Sequence, residues 1–194
     1  MLHYNPNQVS SVTHPYCYTQ KIFDDKELKK IITYCDALPK IIGEIRAGTE
    51  TESIRKSNIA WVEYQDECKW FYDKLANAID FLNQTFYQFD LIGFHNYQFT
   101  EYTAQDKGKY DWHIDMPLGD NPQTLTRKLS ATLLLNDGFE GGQFEFLNVS
   151  KKNQPQMSAG SLIVFPSFVV HRVTEVTKGV RNSLVCWCVG PKFK

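Results

Sequence analysis

From residue 91 to residue 190 the chain is a run of short extended segments divided by turn residues, and this restricts the fold more than any other feature. "LIGFHNYQFTEY" (91–102) is extended and aromatic. "TAQDKGKYD" (103–111) reads as a loop. "LSATLLLND" (129–137) is a strongly apolar strand that stops at Asn136-Asp137-Gly138, a turn signal. "GGQFEFLNV" (141–149) alternates and reads as its partner. "GSLIVFP" (160–166), "HRVTEVT" (171–177) and "NSLVCWCVG" (182–190) are three more strands. No βαβ alternation follows residue 90, and no glycine-rich phosphate loop occurs, so a parallel α/β sheet is excluded.

Ahead of the strands come helical signals. In "DDKELKKIITYCDAL" (24–38), Leu28, Ile31, Ile32, Cys35 and Leu38 share one face, Asp24 or Asp25 can cap the start, and Pro39 ends it. "DECKWFYDKLANAIDFLNQTF" (66–86) carries Trp70, Phe71, Leu75, Ile79 and Leu82 at helical spacing, for packing. "AGTETESIRK" (47–56) is a long polar loop, "SNIAWVEY" (57–64) a strand, and residues 1–20 an irregular arm. Helices followed by short strands predict a mainly β fold with flanking helices. The expected core is a double-stranded β-helix, a cupin-like jelly roll, buttressed by the N-terminal helices. One domain spans 1–194: residues 1–90 supply the arm, two helices and supporting strands, and residues 91–190 the jelly-roll core.

The net charge of −1 gives no electrostatic grip on nucleic acid. No apolar run reaches the roughly 18 residues of a membrane span. "MLHYNPNQVSSVTHPYCY" lacks the basic and apolar regions of a secretory signal. Cys17, Cys35, Cys68, Cys186 and Cys188 form no CxxC pair and read as free thiols of a reducing compartment, with Cys186 and Cys188 on one face of a strand. The expected location is the cytoplasm.

"KYDWHIDMP" (109–117) places His113 and Asp115 two residues apart, on one face of an extended segment. An imidazole and a carboxylate so placed, with a distant histidine, make the 2-His-1-carboxylate facial triad of non-haem iron. His3 and His14 lie in the polar arm, and His95 in an aromatic strand. His171 begins a strand just after "LIVFPS", at what would be the rim of a jelly roll. Ten residues on, Arg181 heads the apolar strand "NSLVCWC". A guanidinium entering a barrel needs an anion, and its planar fork suits a carboxylate. A surface arginine beside Gly179 is the plainer alternative.

"WHID", "LLLNDGFEGGQFEF" and "AGSLIVFPSFVVHRVTEVTKGVR" together resemble the Fe(II)/2-oxoglutarate-dependent dioxygenases of the prolyl 4-hydroxylase type, in particular the bacterial PKHD-type hydroxylase branch. The resemblance runs from about residue 57 to 190. It implies hydroxylation of an unactivated C–H, most readily a prolyl or other side chain of a protein or peptide, with release of succinate and CO2. Fe(II), 2-oxoglutarate and O2 are the implied cofactors, with ascorbate as an optional addition. His113, Asp115 and His171 would hold the metal and Arg181 the distal carboxylate of 2-oxoglutarate. Tyr102 and Trp187 would line the co-substrate cavity, and Tyr110 would face substrate. Gly141 and Gly142 match a structural glycine pair.

Some relatives carry a carboxylate-binding tyrosine where this chain has Leu133, Leu134 and Leu135, so a hydroxyl of Ser130, Thr132 or Ser183 is expected to assist Arg181. Asp115 argues for hydroxylation over halogenation. The substrate is a protein, a peptide or a small molecule, with no nucleic acid or membrane partner, and the protein is a monomer or homodimer. Segments 43–57, 103–111 and 116–128 could close over substrate or merely connect. Arg127 and Lys128 meet an anionic substrate or stay solvated. Two alternatives stand: a non-enzymatic jelly-roll ligand-binding module, and a metal cupin that does not use 2-oxoglutarate.

Overall fold

The computed structural model describes residues 14–43, 45–46, 53–116 and 125–193. In chain order these contain β1 (Cys17–Thr19), α1 (Asp25–Asp36), β2 (Ile41–Ile42), β3 (Ile45–Arg46), β4 (Ser53–Lys56), β5 (Asn58–Val62) and α2 (Lys69–Leu82). There follow β6 (Gly93–Phe94), β7 (Tyr97–Thr103), β8 (Lys109–His113), β9 (Thr126–Leu134), β10 (Glu140–Gly141), β11 (Phe144–Phe146) and β12 (Leu162–Pro166). The last are β13 (His171–Val173), β14 (Val176–Lys178) and β15 (Val180–Gly190).

A larger sheet runs β1-β12-β9-β15-β7-β5-β2, with β6 added on β15. A smaller one runs β11-β13-β8-β4-β3, and β10 pairs with β14. The pairings are antiparallel, as expected for a jelly roll.

Alternation along three strands of the larger sheet decides what each face meets. Tyr97 and Phe99 of β7, Leu129, Ala131 and Leu133 of β9, and Leu184, Cys186 and Cys188 of β15 pack with Leu28 and Ile31 of α1 and Phe71, Leu75 and Ile79 of α2. This is the main core, and the two strand cysteines share a face as expected. On the other face, Tyr102 of β7 and Ile163 and Phe165 of β12 meet Phe144, Phe146 and Val173 of the smaller sheet. Between the sheets, beside this second cluster, the remaining inward positions line a cavity.

α1 starts at Asp24. Its carboxylate accepts from the Lys26 and Glu27 amides at 2.9 and 2.8 Å, while Glu27 reaches back to the Asp24 amide at 2.8 Å. The second helix is α-helical over 69–82 and ends in a π-turn at Asn83–Tyr87 with Gln88 at φ 53°.

Five expectations fail in detail. Within the arm read as irregular, Cys17–Thr19 form β1 and pair with β12. Segment 141–149 does not pair with β9, whose neighbours are β12 and β15. Gly141 and Gly142, at φ 74° and 61°, turn the chain so that β11 joins β13 in the smaller sheet. Segment 171–177 is not one strand: Thr174 and Glu175 interrupt it, exchanging backbone bonds with Gln143 and Gly142. Within 47–56, residues 53–56 are not loop but β4, paired with β8. Residues 109–111, placed in a loop, belong to β8. His3, residues 47–52 and most of the 116–128 segment lie outside the described residues.

Candidate metal centre and its cavity

The antiparallel register of β8 and β13 sets His113 directly opposite His171. Their rings lie 4.1 Å apart, centroid to centroid. Each Nδ1–H donates to a carbonyl two residues back, His113 to Asp111 at 2.7 Å and His171 to Val169 at 3.0 Å. A carbonyl only accepts, so this fixes the tautomer and frees both Nε2 lone pairs.

Asp115 lies just past the end of β8, so strand alternation alone does not aim it. The amides of Asp115 and Met116 both donate to the Ser167 carbonyl at 2.9 Å, and Nη1 of Arg127 donates to the Asp115 carbonyl at 3.2 Å. Pinned this way, the carboxylate comes within 3.6 Å of each Nε2, one oxygen to each imidazole. The three ligand atoms lie within 4.8 Å of one another. Ligands at about 2.1 Å and right angles on one ion sit about 3 Å apart, so a small contraction closes them around a metal.

Aromatic packing holds the imidazoles. Tyr110 stacks on His113 at 3.4 Å, and Phe144 lies flat on His171 at 5.3 Å with Phe165 edge-on at 4.6 Å. Burial, reinforced by the neighbouring His171, pulls the His113 pKa down to about 4. His113 is therefore neutral at pH 7 and able to donate its lone pair to a metal.

Arg181 lines the same cavity and is 1% exposed. It is not the surface arginine of the alternative reading. Its Nη1 donates to Ser183 Oγ at 3.1 Å. Nε and Nη2, the side-on edge of the fork, have no hydrogen-bond partner among the described residues. Burial lowers the guanidinium pKa to about 10, so it stays charged at pH 7. A buried cation with a free two-pronged edge fits a carboxylate.

The other expected residues fall as follows. Tyr102, Tyr110, Thr132, Ser183 and Trp187 all line the cavity. The Tyr102 ring centre is 5.8 Å from the Arg181 guanidinium carbon. Of the three candidate hydroxyls, Ser183 is the one bonded to Arg181, while Ser130 pairs with Ser167 at 2.9 Å. Tyr110 also lines a second, outer cavity with Trp61, Arg127 and Trp187.

Lys128 is not solvated, and Arg127 is only partly so. Lys128 is buried over the Phe193 ring at 4.4 Å, and Arg127 lies over Trp187 at 4.3 Å. Of the other histidines, His14 is exposed against Phe86 at 5.9 Å, and His95 is exposed before β7.

Sequence reasoning missed Arg55, Gln98 and Thr100. Arg55 is buried, bonds Ser57 Oγ at 2.9 Å and Gln98 Oε1 at 2.7 Å, and lies over the Tyr110 ring at 4.8 Å. The available signal was period two: Arg55-Ser57-Ile59 continue one face of the strand read from residue 57, and Gln98-Thr100-Tyr102 one face of β7.

Comparison with known proteins agrees with this geometry. Residues 97–189 match the family model of the 2OG-Fe(II) oxygenase superfamily. A PKHD-type hydroxylase of Hyphomonas neptunium is 40% identical over 81 residues, covering 40% of this chain and 36% of the relative. The chain thus spans little more than a third of the curated relative it matches. The crystal structure of a Pseudomonas putida prolyl-4-hydroxylase superposes with a TM-score of 0.71 at 25% identity, covering 93% of this chain and 95% of that one. A Trichoplax adhaerens prolyl hydroxylase, in complex with a hypoxia inducible factor peptide fragment, shares the fold with a TM-score of 0.71 at 18% identity, covering 91% and 84%.

Proposed function

We propose, from the premise that this chain belongs to the 2OG-Fe(II) oxygenase superfamily through residues 97–189, that it is a hydroxylase holding Fe(II) on His113, Asp115 and His171 and 2-oxoglutarate against Arg181. The observation that carries the reading is the buried Arg181 fork, free at Nε and Nη2, lining the cavity that the two histidines and the carboxylate also line.

When bound, Fe(II) with 2-oxoglutarate and O2 supplies an oxidant for an unactivated C–H, with succinate and CO2 as products. The chain's own residues do the rest. Two Nδ1–H donors keep both imidazoles in the ligating tautomer. Ser183 turns the guanidinium by holding Nη1, so the side-on edge is left for the distal carboxylate. Tyr102 and Trp187 wall the cavity and limit water at the reacting centre. Tyr110, shared with the outer cavity, stands where the acceptor would approach.

The prolyl hydroxylases among the structural relatives, one of them with a bound peptide, support a prolyl or other side chain of a protein or peptide as acceptor. A small-molecule acceptor meets the same geometry. We assign the whole chain to one domain, acting as a monomer or homodimer in the cytoplasm, without nucleic acid or membrane. Among the described residues no helix is long and apolar enough to cross a membrane.

The test is anaerobic titration with Fe(II) and 2-oxoglutarate, following the visible metal-to-keto-acid charge-transfer band, then succinate after air is admitted. The band is expected to require His171 and to weaken in Arg181→Ala. Iron binding without band or succinate would overturn the co-substrate assignment and favour a metal cupin. No iron binding at all would leave a ligand-binding module.

A further inference from the structure

The glycine behind the clamp has a role beyond turning the chain. A further cavity, lined by none of the candidate metal ligands, also reaches Arg181. Arg181 and Phe144 line both cavities, whereas Gly142 lines only this one, with Phe139, Gln143 and Met157. Gly142 is buried at φ 61°. A Cβ on it would stand 2.9 Å from Arg181 Cδ, 3.0 Å from Val176 Cγ2 and 3.3 Å from Phe139 Cε2. The first contact is closer than packed atoms tolerate. The other two near atoms belong to side chains of the inter-sheet packing, Val176 and Phe139.

We propose that Gly142 sets the depth of the carboxylate seat. The missing side chain lets Arg181 lie back against the rear wall, and the distance so left between guanidinium and metal ligands selects a five-carbon 2-oxo diacid over a four-carbon one. This rests on the co-substrate reading above. Gly142 touches no substrate and is a positioning residue. A methyl there drives the Arg181 stem forward into the metal-facing cavity, shortening the span that the co-substrate must bridge. Displacement of a clamp by a fraction of an ångström to 1 Å costs on the order of 10–100-fold in a well-fitted site.

The test compares Gly142→Ala with Gly138→Ala. Gly138 also takes a positive φ, 88°, but has nothing within 4 Å of a Cβ, so it tests a positive-φ alanine without the clash. Binding of 2-oxoglutarate and of oxaloacetate is measured by calorimetry with Mn(II) in place of iron, which needs no turnover. Gly142→Ala is expected to weaken 2-oxoglutarate about 10–100-fold and oxaloacetate far less, or to tighten it. Mn(II) affinity stays at the wild-type value, and Gly138→Ala behaves as wild type throughout.

Should Gly142→Ala not fold, the double variant with Val176→Ala, which removes a methyl group competing for the space, carries the comparison. Equal loss for both diacids, or wild-type affinity for 2-oxoglutarate in a folded Gly142 variant, would overturn the proposal. Failure of the wild type to bind 2-oxoglutarate with Mn(II) would instead overturn the co-substrate reading.

Discussion

Replacing Arg181 by methionine should make the ligand-free protein more stable while destroying its affinity for 2-oxoglutarate. The magnitude follows from burial. The guanidinium is fully enclosed, and desolvation lowers its pKa from 12.5 to about 10. Each pKa unit corresponds to about 1.4 kcal/mol, so keeping the charged form in the folded protein at pH 7 costs about 3 kcal/mol. The sign is that of a base depressed by folding: the penalty is full below pH 10 and fades as pH rises from 10 toward 12.5.

Methionine removes that cost and fills much of the same volume. It forfeits the Ser183 hydrogen bond, about 1 kcal/mol. The net gain is about 2 kcal/mol, or about 4–8 °C in Tm for a domain of this size. Binding moves the other way, since losing one partner of a buried charge-assisted pair costs about 2–5 kcal/mol, at least ~30-fold in Kd. Differential scanning calorimetry with and without Mn(II) and 2-oxoglutarate reads both effects. The wild type should gain Tm on adding 2-oxoglutarate, and Arg181→Met should start higher and gain nothing. Arg181→Lys keeps a charge but loses the fork, so it should gain neither stability nor affinity. A ligand-free Arg181→Met that melts below the wild type would refute the reasoning, because it would mean the guanidinium already has the anionic partner it is argued to await.

Three further outcomes follow from other parts of the molecule. The metal-free protein should lose roughly 3 kcal/mol of stability as pH falls from 6.5 toward the His113 pKa of about 4, because the unfolded chain takes up that proton first; urea unfolding at pH 7.5 and 4.5 checks this, and His113→Leu should flatten the difference. Arg127→Met removes the donor that holds the Asp115 carbonyl, so Mn(II) affinity should fall by up to about 10–150-fold, the worth of one charged hydrogen bond, with or without 2-oxoglutarate; an unchanged Mn(II) isotherm would count against that role. Asp24→Ala removes the helix cap and should lower Tm by about 2–4 °C, leaving Mn(II) and 2-oxoglutarate affinities unaltered in the same calorimeter.

The fold class was legible because helix and strand periods separate cleanly along the chain, and the candidate metal ligands because two short motifs lie at strand ends. What escaped was pairing. "GGQFEFLNV" looks like a hairpin partner for the strand before it, but local sequence does not say which sheet a strand joins once two positive-φ glycines redirect the chain. The HxD spacing pointed to residues that the fold does bring together with His171, but for an incomplete reason. Asp115 is not a strand residue, and what turns its carboxylate to the histidines is the Ser167 carbonyl and Arg127, from remote parts of the chain. Arg127 and Lys128 read as solvated because charge is the strongest prior for exposure. Their burial depends on ring faces, Trp187 and Phe193, sixty or more residues away.

The strands that build the cavity carry a signal that hydrophobicity averages conceal. In the middle of β7, β9 and β15 one face is apolar and packs on the helices, through Tyr97 and Phe99, Leu129, Ala131 and Leu133, and Leu184, Cys186 and Cys188. The opposite faces hold Gln98, Thr100 and Tyr102, then Thr132, then Arg181, Ser183 and Trp187, buried and yet largely polar. A strand enclosed on both sides should read as a continuous apolar run. Polar groups at its inward positions lower stability unless something satisfies them. Three neighbouring strands repeating that departure at facing positions therefore mark one place where a polar molecule belongs, and the buried Arg181 guanidinium, with Nε and Nη2 unpartnered among the described residues, suits a molecule with negative charge. By the same reasoning Thr132 serves the cavity rather than packing: valine, close to threonine in volume, should stabilise the ligand-free fold there while weakening the hold on a polar ligand, whereas Ser183→Val would strand the buried Arg181 Nη1 and should destabilise it.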